Sequence, residues 1–257
     1  MIKKYFLILF AGLLFFKPNL LYSSTLKNET FKTAIWAWER TENLLFLEGS
    51  DVEINFYAGI TLYKNGITSF TPRRNPLIVP DDVYLIAVFR IENRQSFIPT
   101  SNQLEETVKN ILNVCNNKRI SGCQIDFDAK VSEQVFYKQL LTSLKKNLPY
   151  YKILTMTALA SWSYEGSWLD SLPVKYATPM FFRMGVDDFS IRNMLVGESF
   201  MGSKVTKEFV GISTDEPLPP AKYLRNRKFC IFNSKPWTEE NFKEIISKVE
   251  NHINGDK

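Results

Sequence analysis

Polar and apolar residues alternate strictly along residues 122–129, near the centre of the chain. In an extended strand, successive side chains point to opposite faces. One face would carry Gln124, Asp126 and Asp128, and the other Cys123, Ile125 and Phe127. A solvated acidic face is the alternative, but the helix pattern that follows favours a strand covered by helices on its apolar side. Because burying carboxylates is costly, we expect the acidic face to have a function.

Strand-like patterns recur along the chain and are separated by helices or short connectors. The predicted strands cover residues 33–40, 52–63, 83–92, 122–129, 153–162, 176–184, 208–213 and 228–233. Helical spacing of apolar residues predicts helices near residues 101–115, 132–148, 189–196 and 238–253. The dipeptide Asn65-Gly66 predicts a hairpin after the second strand.

Eight strands alternating with helices predict an α/β fold. The expected form is a compact (β/α)₈ TIM-type barrel with some abbreviated helices and a small hairpin after its second strand. An open doubly wound sheet is the competing architecture. No Gly-rich phosphate loop follows an early strand, which disfavours the nucleotide-binding versions of that sheet. We expect a single barrel domain over residues 30–257.

The N-terminus has the features of an export signal. Lys3 and Lys4 precede an apolar run over residues 5–16, which is short for a membrane span. Residues 1–24 are therefore predicted to be a signal peptide or, if uncleaved, an N-terminal anchor. We expect an exported protein, periplasmic or extracellular, that contacts a membrane only through this segment if it stays attached.

Composition argues against several classes of protein. The formal net charge is +5, and three lysines fall within residues 1–24, so the remainder is nearly balanced and does not suggest a nucleic-acid partner. The single histidine, His252, lies on the final predicted helix, which argues against Ser-His-Asp hydrolysis and histidine-rich zinc sites. No cofactor and no metal site are predicted, although hydrolysis by carboxylates is compatible with a hard cation. Three buried free thiols are expected, with a Cys115–Cys123 disulfide as the alternative.

Functional side chains collect at the predicted C-terminal strand ends, where the active sites of (β/α)₈ barrels lie. The collected acids, arginines and tryptophans are Trp38, Glu39, Arg90, Glu92, Asp126, Asp128, Trp162, Arg183, Asp215 and Glu216. Tryptophan faces stack on sugar rings, and carboxylates bind hydroxyl groups and supply acid catalysis. The set therefore predicts a carbohydrate site, although ion pairing or packing is the alternative for each residue alone.

The predicted catalytic residues are Asp126, Asp128 and Glu216. Asp128 lies furthest along its strand and is the predicted general acid, because repulsion from Asp126 would raise its pKa. Glu216 is the predicted opposing nucleophile or base, with Asp215 as its substitute if the register shifts by one residue. The predicted substrate-binding residues are Trp38, Glu39, Arg90, Glu92, Trp162, Arg183 and Asp215, with Arg183 serving an anionic or hydroxyl group.

Residues 122–128 resemble the fourth-strand motif of chitinase-like glycoside hydrolases, Asp-Gly-x-Asp-x-Asp-x-Glu. Gly122 falls on the glycine, Asp126 on the second alternating acid and Asp128 on the terminal acid. Two positions depart from the motif: Gln124 replaces its first alternating acid, and Asp128 is shorter than its glutamate. The resemblance implies a barrel with a carboxylate at the substrate.

A second resemblance spans nearly all of the chain after the N-terminal segment. Its segments are 36–40 (WAWER), 89–92 (FRIE), 124–129 (QIDFDA), 157–162 (TALASW), 179–185 (PMFFRMG) and 211–217 (GISTDEP). They are similar to the motif series of the DUF3142 proteins, a bacterial family of unknown function. This resemblance implies family membership and brings no activity with it.

These observations lead to one favoured function and two alternatives. The favoured function is an exported glycoside hydrolase-like protein that acts on a glycan or cell-envelope polysaccharide. The first alternative is a non-catalytic barrel that binds a glycan or an envelope partner. The second is a metal-dependent phosphodiesterase that uses the same acids.

Overall fold

The computed structural model describes residues 33–165, 168–196 and 202–255. The predicted signal peptide or anchor, residues 1–24, lies outside the described residues. No helix within the described ranges is long and apolar enough to cross a membrane.

Eight parallel strands form a closed barrel. They are β1 (Thr33–Ala37), β3 (Val52–Lys64), β6 (Tyr84–Asn93), β7 (Gly122–Asp126), β8 (Ile153–Leu159), β9 (Ala177–Met180), β10 (Phe209–Ser213) and β11 (Lys228–Phe232). The ring closes because β1 pairs in parallel with both β11 and β3. This closure confirms the predicted (β/α)₈ barrel and is incompatible with the open-sheet alternative.

Within the described residues, three further strands lie outside the ring. The predicted hairpin is present: β4 (Ile67–Pro72) pairs antiparallel with β3. Strands β2 (Glu42–Asn43) and β5 (Leu77–Ile78) form a separate two-stranded sheet.

Helices cover the barrel, and several are abbreviated as expected. They are α1 (Ser101–Cys115), α2 (Gln134–Asn147), α3 (Ala160–Glu165), α4 (Asp188–Val196), α5 (Ala221–Leu224) and α6 (Glu239–Gly255). Helix α1 begins with a capping box, in which Thr100 accepts from the Gln103 backbone and the Gln103 side chain accepts from the Thr100 backbone. Ser101 is the first helical residue, as the predicted bounds indicate.

The core has two parts. Ile125 of β7 and Phe127, which follows that strand, belong to a core that includes residues of helices α1 and α2. Inside the barrel, Tyr176 stacks on Phe209 with ring centroids 4.1 Å apart. Both rings are almost fully buried. At this level the barrel lumen is therefore filled by side chains.

The central strand β7 adopts the predicted register. Gln124 and Asp126 are buried within the barrel, while Cys123 and Ile125 belong to the core beneath the helices. Gly122 is required at the start of this strand, because a Cβ there would lie 2.4 Å from the Ile153 carbonyl oxygen. Cys115, Cys123 and Cys230 are buried free thiols, as predicted. A hydrogen bond with Cys115 and burial raise the pKa of the Cys123 thiol.

Candidate functional site

A cavity of about 510 Å³ opens at the C-terminal ends of the barrel strands. Its volume falls in the range of small-molecule sites, roughly 300–1,000 Å³. The aromatic residues in its wall are Trp36, Trp38, Tyr57, Phe182 and Phe232, and the charged ones are Glu39, Arg90, Glu92, Asp126, Asp128, Arg183 and Asp187. Arg90, Glu92, Asp126 and Asp128 therefore share one cavity, as the spacing along their two strands predicts.

Arg90 holds Asp126 and Asp128 together. Strands β6 and β7 are paired in register, with Arg90 beside Asp126. The Arg90 guanidinium donates from Nη1 to Asp126 Oδ2 and from Nη2 to Asp128 Oδ2, each at 2.9 Å. Thr157 Oγ1 donates to the other Asp126 oxygen at 2.8 Å. Asp126 is thus fully engaged by the protein, whereas the second oxygen of Asp128 has no protein donor within the described residues.

The two carboxylates differ in exposure and therefore in chemistry. The Asp126 side chain is 5% exposed and the Asp128 side chain 41%. Burial and repulsion from Asp126 raise the pKa of Asp128, although Arg90 opposes the shift. Burial lowers the pKa of Arg90, but attraction to Asp126 and Asp128 outweighs it and leaves that pKa above its usual value. Asp128 therefore combines access to the cavity with a raised pKa, as a proton donor requires.

Glu39 and Glu92 line the cavity with their carboxylates partly occupied. Glu39 Oε1 accepts from the backbone of Arg74 and from the backbone and side chain of Asn75. Burial raises the pKa of Glu39, but these hydrogen bonds outweigh it and lower the pKa overall. Glu92 Oε2 accepts from Arg94, while its Oε1 lies 4.0 Å from Arg90 Nε. Glu39 thus binds the segment after β4, and Glu92 keeps one oxygen without a hydrogen bond from the described residues.

A second cluster of charges lies at the rim. Arg183 Nη2 donates to Asp215 Oδ2 at 2.8 Å, and Nη1 and the backbone N–H of the same residue donate to Glu216. Arg192 adds an ion pair to Glu216 at 3.7 Å. Arg183 lines the cavity, but Asp215 and Glu216 do not. The predicted position of Glu216 in the cavity opposite Asp128 is therefore wrong, because Arg183 and Arg192 hold its carboxylate beside them.

The predicted position of Trp162 in the cavity is also wrong. Strand β8 ends at Leu159 and helix α3 begins at Ala160, so strand alternation does not reach Trp162. Its ring packs against Tyr137 and Trp168, at centroid distances of 6.5 and 5.0 Å, within the core beneath the helices. Trp38, by contrast, does line the cavity and packs against Tyr57.

Several cavity residues were missing from the prediction. Tyr57 and Ile60 both line the cavity because a β-bulge between Tyr57 and Gly59 shifts the register of β3 and re-aims its side chains. Trp36 donates from Nε1 to Gln124 Oε1 at 2.8 Å, so an amide accepts this hydrogen bond where the chitinase-like motif has an acid. Asp187 lies in the loop after β9, and no periodic pattern indicates its position.

The donors for a metal ion are not grouped. Within the described residues, no three or more His, Cys, Asp or Glu side chains are arranged to hold a metal.

Comparisons with known proteins support the fold. No protein-family model and no curated protein matches the chain, so DUF3142 membership stays a prediction. A solved Family GH18 chitinase from Chromobacterium violaceum is similar in structure, with a TM-score of 0.51 and 12% sequence identity. The match covers 79% of this chain and 78% of the chitinase chain. At this identity, the structural similarity shows that the two chains share the barrel fold and carries no activity over to this chain.

Proposed function

We propose that the protein is a glycoside hydrolase whose cavity binds a glycan and whose Asp128 is the general acid. The observation that carries this proposal is the Asp128 carboxyl, which is 41% exposed at an aromatic-walled cavity and has a raised pKa. The chitinase-like motif around it and the shared barrel fold add support. A cell-envelope or extracellular polysaccharide is the proposed substrate class, because the N-terminal segment predicts export.

In the proposed reaction, Asp128 gives its proton to the oxygen of the glycosidic bond. The bond between that oxygen and the anomeric carbon breaks, and water completes the hydrolysis. Arg90 fixes the Asp128 carboxyl through Oδ2 and leaves Oδ1 free for the substrate. We assign the second carboxylate of the reaction to Glu92 rather than to Glu216, because Glu92 lines the same cavity and keeps Oε1 free of close donors.

The aromatic wall supplies the binding surface. Trp38 lies 5.2 Å from Tyr57 and 6.3 Å from Phe232, measured between ring centroids. Contiguous rings of this kind present flat apolar faces, on which the C–H faces of a sugar pack. Trp38 is half-buried, whereas Trp36 is almost fully buried, so Trp38 is the proposed stacking platform.

The test is the Asp128→Asn variant, measured for hydrolysis of a panel of polysaccharides and for binding. The amide keeps the shape and loses the acidic proton, so turnover should fall roughly 10²–10⁴-fold with binding retained. Asp215→Asn is the matched control, because it makes the same change at the rim and should leave turnover within about twofold. Equal turnover in wild type and Asp128→Asn would refute the assignment.

Glycan binding without catalysis is the second candidate. It is favoured by one observation: a single guanidinium, that of Arg90, spans both Asp126 and Asp128. An ion pair of this kind often serves structure alone. If wild type cleaves no glycan in the panel, but Trp38→Ala abolishes binding of the best ligand, this candidate replaces the first. No specific observation favours the phosphodiesterase alternative.

A further inference from the structure

The cavity joins two features that recognise positive charge. One is an aromatic cage, formed by Trp36, Trp38, Tyr57, Phe182 and Phe232. The other is an excess of carboxylates over arginines in the same wall. We infer that the cavity is selective for a cationic group and that, resting on the proposed function, its glycan carries free amino groups rather than N-acetyl or carboxylate groups.

The rings of the cage are in mutual contact. Phe182 stacks on Phe232 with centroids 5.4 Å apart and planes 11° apart, and Trp36 meets Phe182 edge-on at 5.9 Å. Trp38 joins the group through Tyr57 and Phe232. A cation near the face of such rings is attracted by their quadrupoles, and aromatic cages are a recurrent device for binding ammonium groups.

The charged part of the wall has the same preference. Within the described lining, five carboxylates (Glu39, Glu92, Asp126, Asp128 and Asp187) face two arginines, Arg90 and Arg183. Both arginines already donate to carboxylates: Arg90 to Asp126 and Asp128, Arg183 to Asp215 and Glu216. They are therefore poorly placed to receive an anionic ligand. Arg183 is thus not expected to bind an anionic group, in contrast to its predicted role.

The excess of carboxylates over arginines remains when the ion-pair partners of the lining residues are counted as well. Arg94 neutralises Glu92, and Arg90 neutralises Asp126. Glu39 and Asp187 remain in the lining whether or not Asp128 holds its proton. Asp187 is exposed at the cavity wall, and no described residue forms an ion pair or side-chain hydrogen bond with its carboxylate. The negative charge also acts on the neighbouring tyrosine: burial and then Glu39 and Glu92 raise the pKa of Tyr57. A ligand ammonium would lie beside these aromatic rings and beside the Asp187 carboxylate.

Calorimetric titration with three sugar oligomers of equal length tests the inference. They are a glucosamine oligomer with free amines, its fully N-acetylated form and a glucuronic acid oligomer. Wild type should bind the free-amine oligomer about tenfold more tightly than the N-acetylated one, and the glucuronic acid oligomer most weakly. Tetramethylammonium is the fourth probe, because it is a cation without a sugar.

Asp187→Asn supplies the variant test, with Asp188→Asn as its matched control. Asp188 is the next residue, but its carboxylate pairs with Arg192 and does not line the cavity. Asp187→Asn should weaken the free-amine oligomer about two- to fivefold and leave the N-acetylated oligomer unchanged. Asp188→Asn should leave the affinity for both oligomers unchanged.

The outcomes separate this inference from the proposed function. Equal or tighter binding of the N-acetylated or glucuronic acid oligomer would overturn the cationic preference and leave glycan binding intact. Binding of tetramethylammonium without any of the oligomers would support the cationic preference and refute the proposed glycan. Absence of binding by all four probes would overturn both.

Discussion

Two arginine-carboxylate clusters stand at the top of the barrel, and each joins one arginine to two acids. The first joins Arg90 to Asp126 and Asp128, and the second joins Arg183 to Asp215 and Glu216. The Arg90 side chain is 26% exposed and the Arg183 side chain 53%. The first cluster is thus set into the cavity, whereas the second lies at the rim in contact with water.

The clusters move their aspartate pKa values in opposite directions. Burial and the charge of Asp126 raise the pKa of Asp128. Hydrogen bonds from Ser213 and Arg183 lower the pKa of Asp215 to about 2. The same pairing with arginine therefore coexists with a raised carboxyl pKa at Asp128 and a lowered one at Asp215. Desolvation and a neighbouring like charge determine whether the pKa of the paired aspartate is raised.

The largest expected contrast is in stability. Arg90→Met should lower the free energy of unfolding by roughly 3–5 kcal/mol, because it leaves Asp126 buried without its cation. Arg183→Met should cost only about 0–1 kcal/mol, because water solvates Asp215 and Glu216 in its absence. Urea unfolding at neutral pH measures both. Equal losses in the two variants would show that the clusters do not differ in desolvation.

A smaller contrast separates the hydroxyl groups that support each cluster. Thr157→Val keeps its shape but removes the 2.8 Å hydrogen bond to buried Asp126, which should cost roughly 1.5–3 kcal/mol. Ser213→Ala removes the hydrogen bond to Asp215, which is partly exposed, and should cost roughly 0.5–1.5 kcal/mol. Chemical denaturation of both variants measures the losses. A larger loss for Ser213→Ala would contradict the assignment of Asp126 as the desolvated acid.

The first cluster was predictable from sequence, and the second was not. Asp126 and Asp128 lie two residues apart in the alternating sequence, as do Arg90 and Glu92, so a strand period of two predicts one face for each pair. In the structure β7 ends at Asp126, and Asp128 stays on that side because Arg90 pairs with its carboxylate. Arg183 follows the end of β9 with a backbone φ of 54°, and Asp215 and Glu216 follow the end of β10. Beyond a strand end, alternation no longer determines direction, so the partners at the rim had no periodic signal.

The same limit explains the other differences. The predicted position of Trp162 is wrong because the strand period of two does not hold beyond Leu159, where β8 ends and helix α3 follows. Tyr57 and Ile60 share the cavity only because of the bulge in β3, which shifts the period by one residue. Eight strands and their order follow from patterns that tolerate such local breaks. The identity of the cavity-lining residues, by contrast, depends on where each strand ends or bulges.

The smallest expected effect is in the pH dependence of stability, and its sign differs between the clusters. The raised pKa of Asp128 means that protonation of its carboxyl favours the folded state. The contribution of Asp128 to stability is therefore fully present below the unfolded pKa of about 3.9. It is lost as pH rises through the folded pKa. The lowered pKa of Asp215 has the opposite consequence. Its contribution is present above about pH 3.9 and is lost as pH falls towards about 2.

Asp128→Asn should therefore remove a loss of stability that wild type shows as pH rises above about 4. Asp215→Asn should remove a loss that wild type shows as pH falls below about 4. Both carboxylates are more than a third exposed, so each effect should stay below about 1 kcal/mol. Urea midpoints between pH 2.5 and pH 7 in matched ionic strength, compared as differences from wild type, resolve effects of this size. If Asp128→Asn instead removes a loss of stability at low pH, the pKa of Asp128 is lowered rather than raised, and its role as general acid loses its basis.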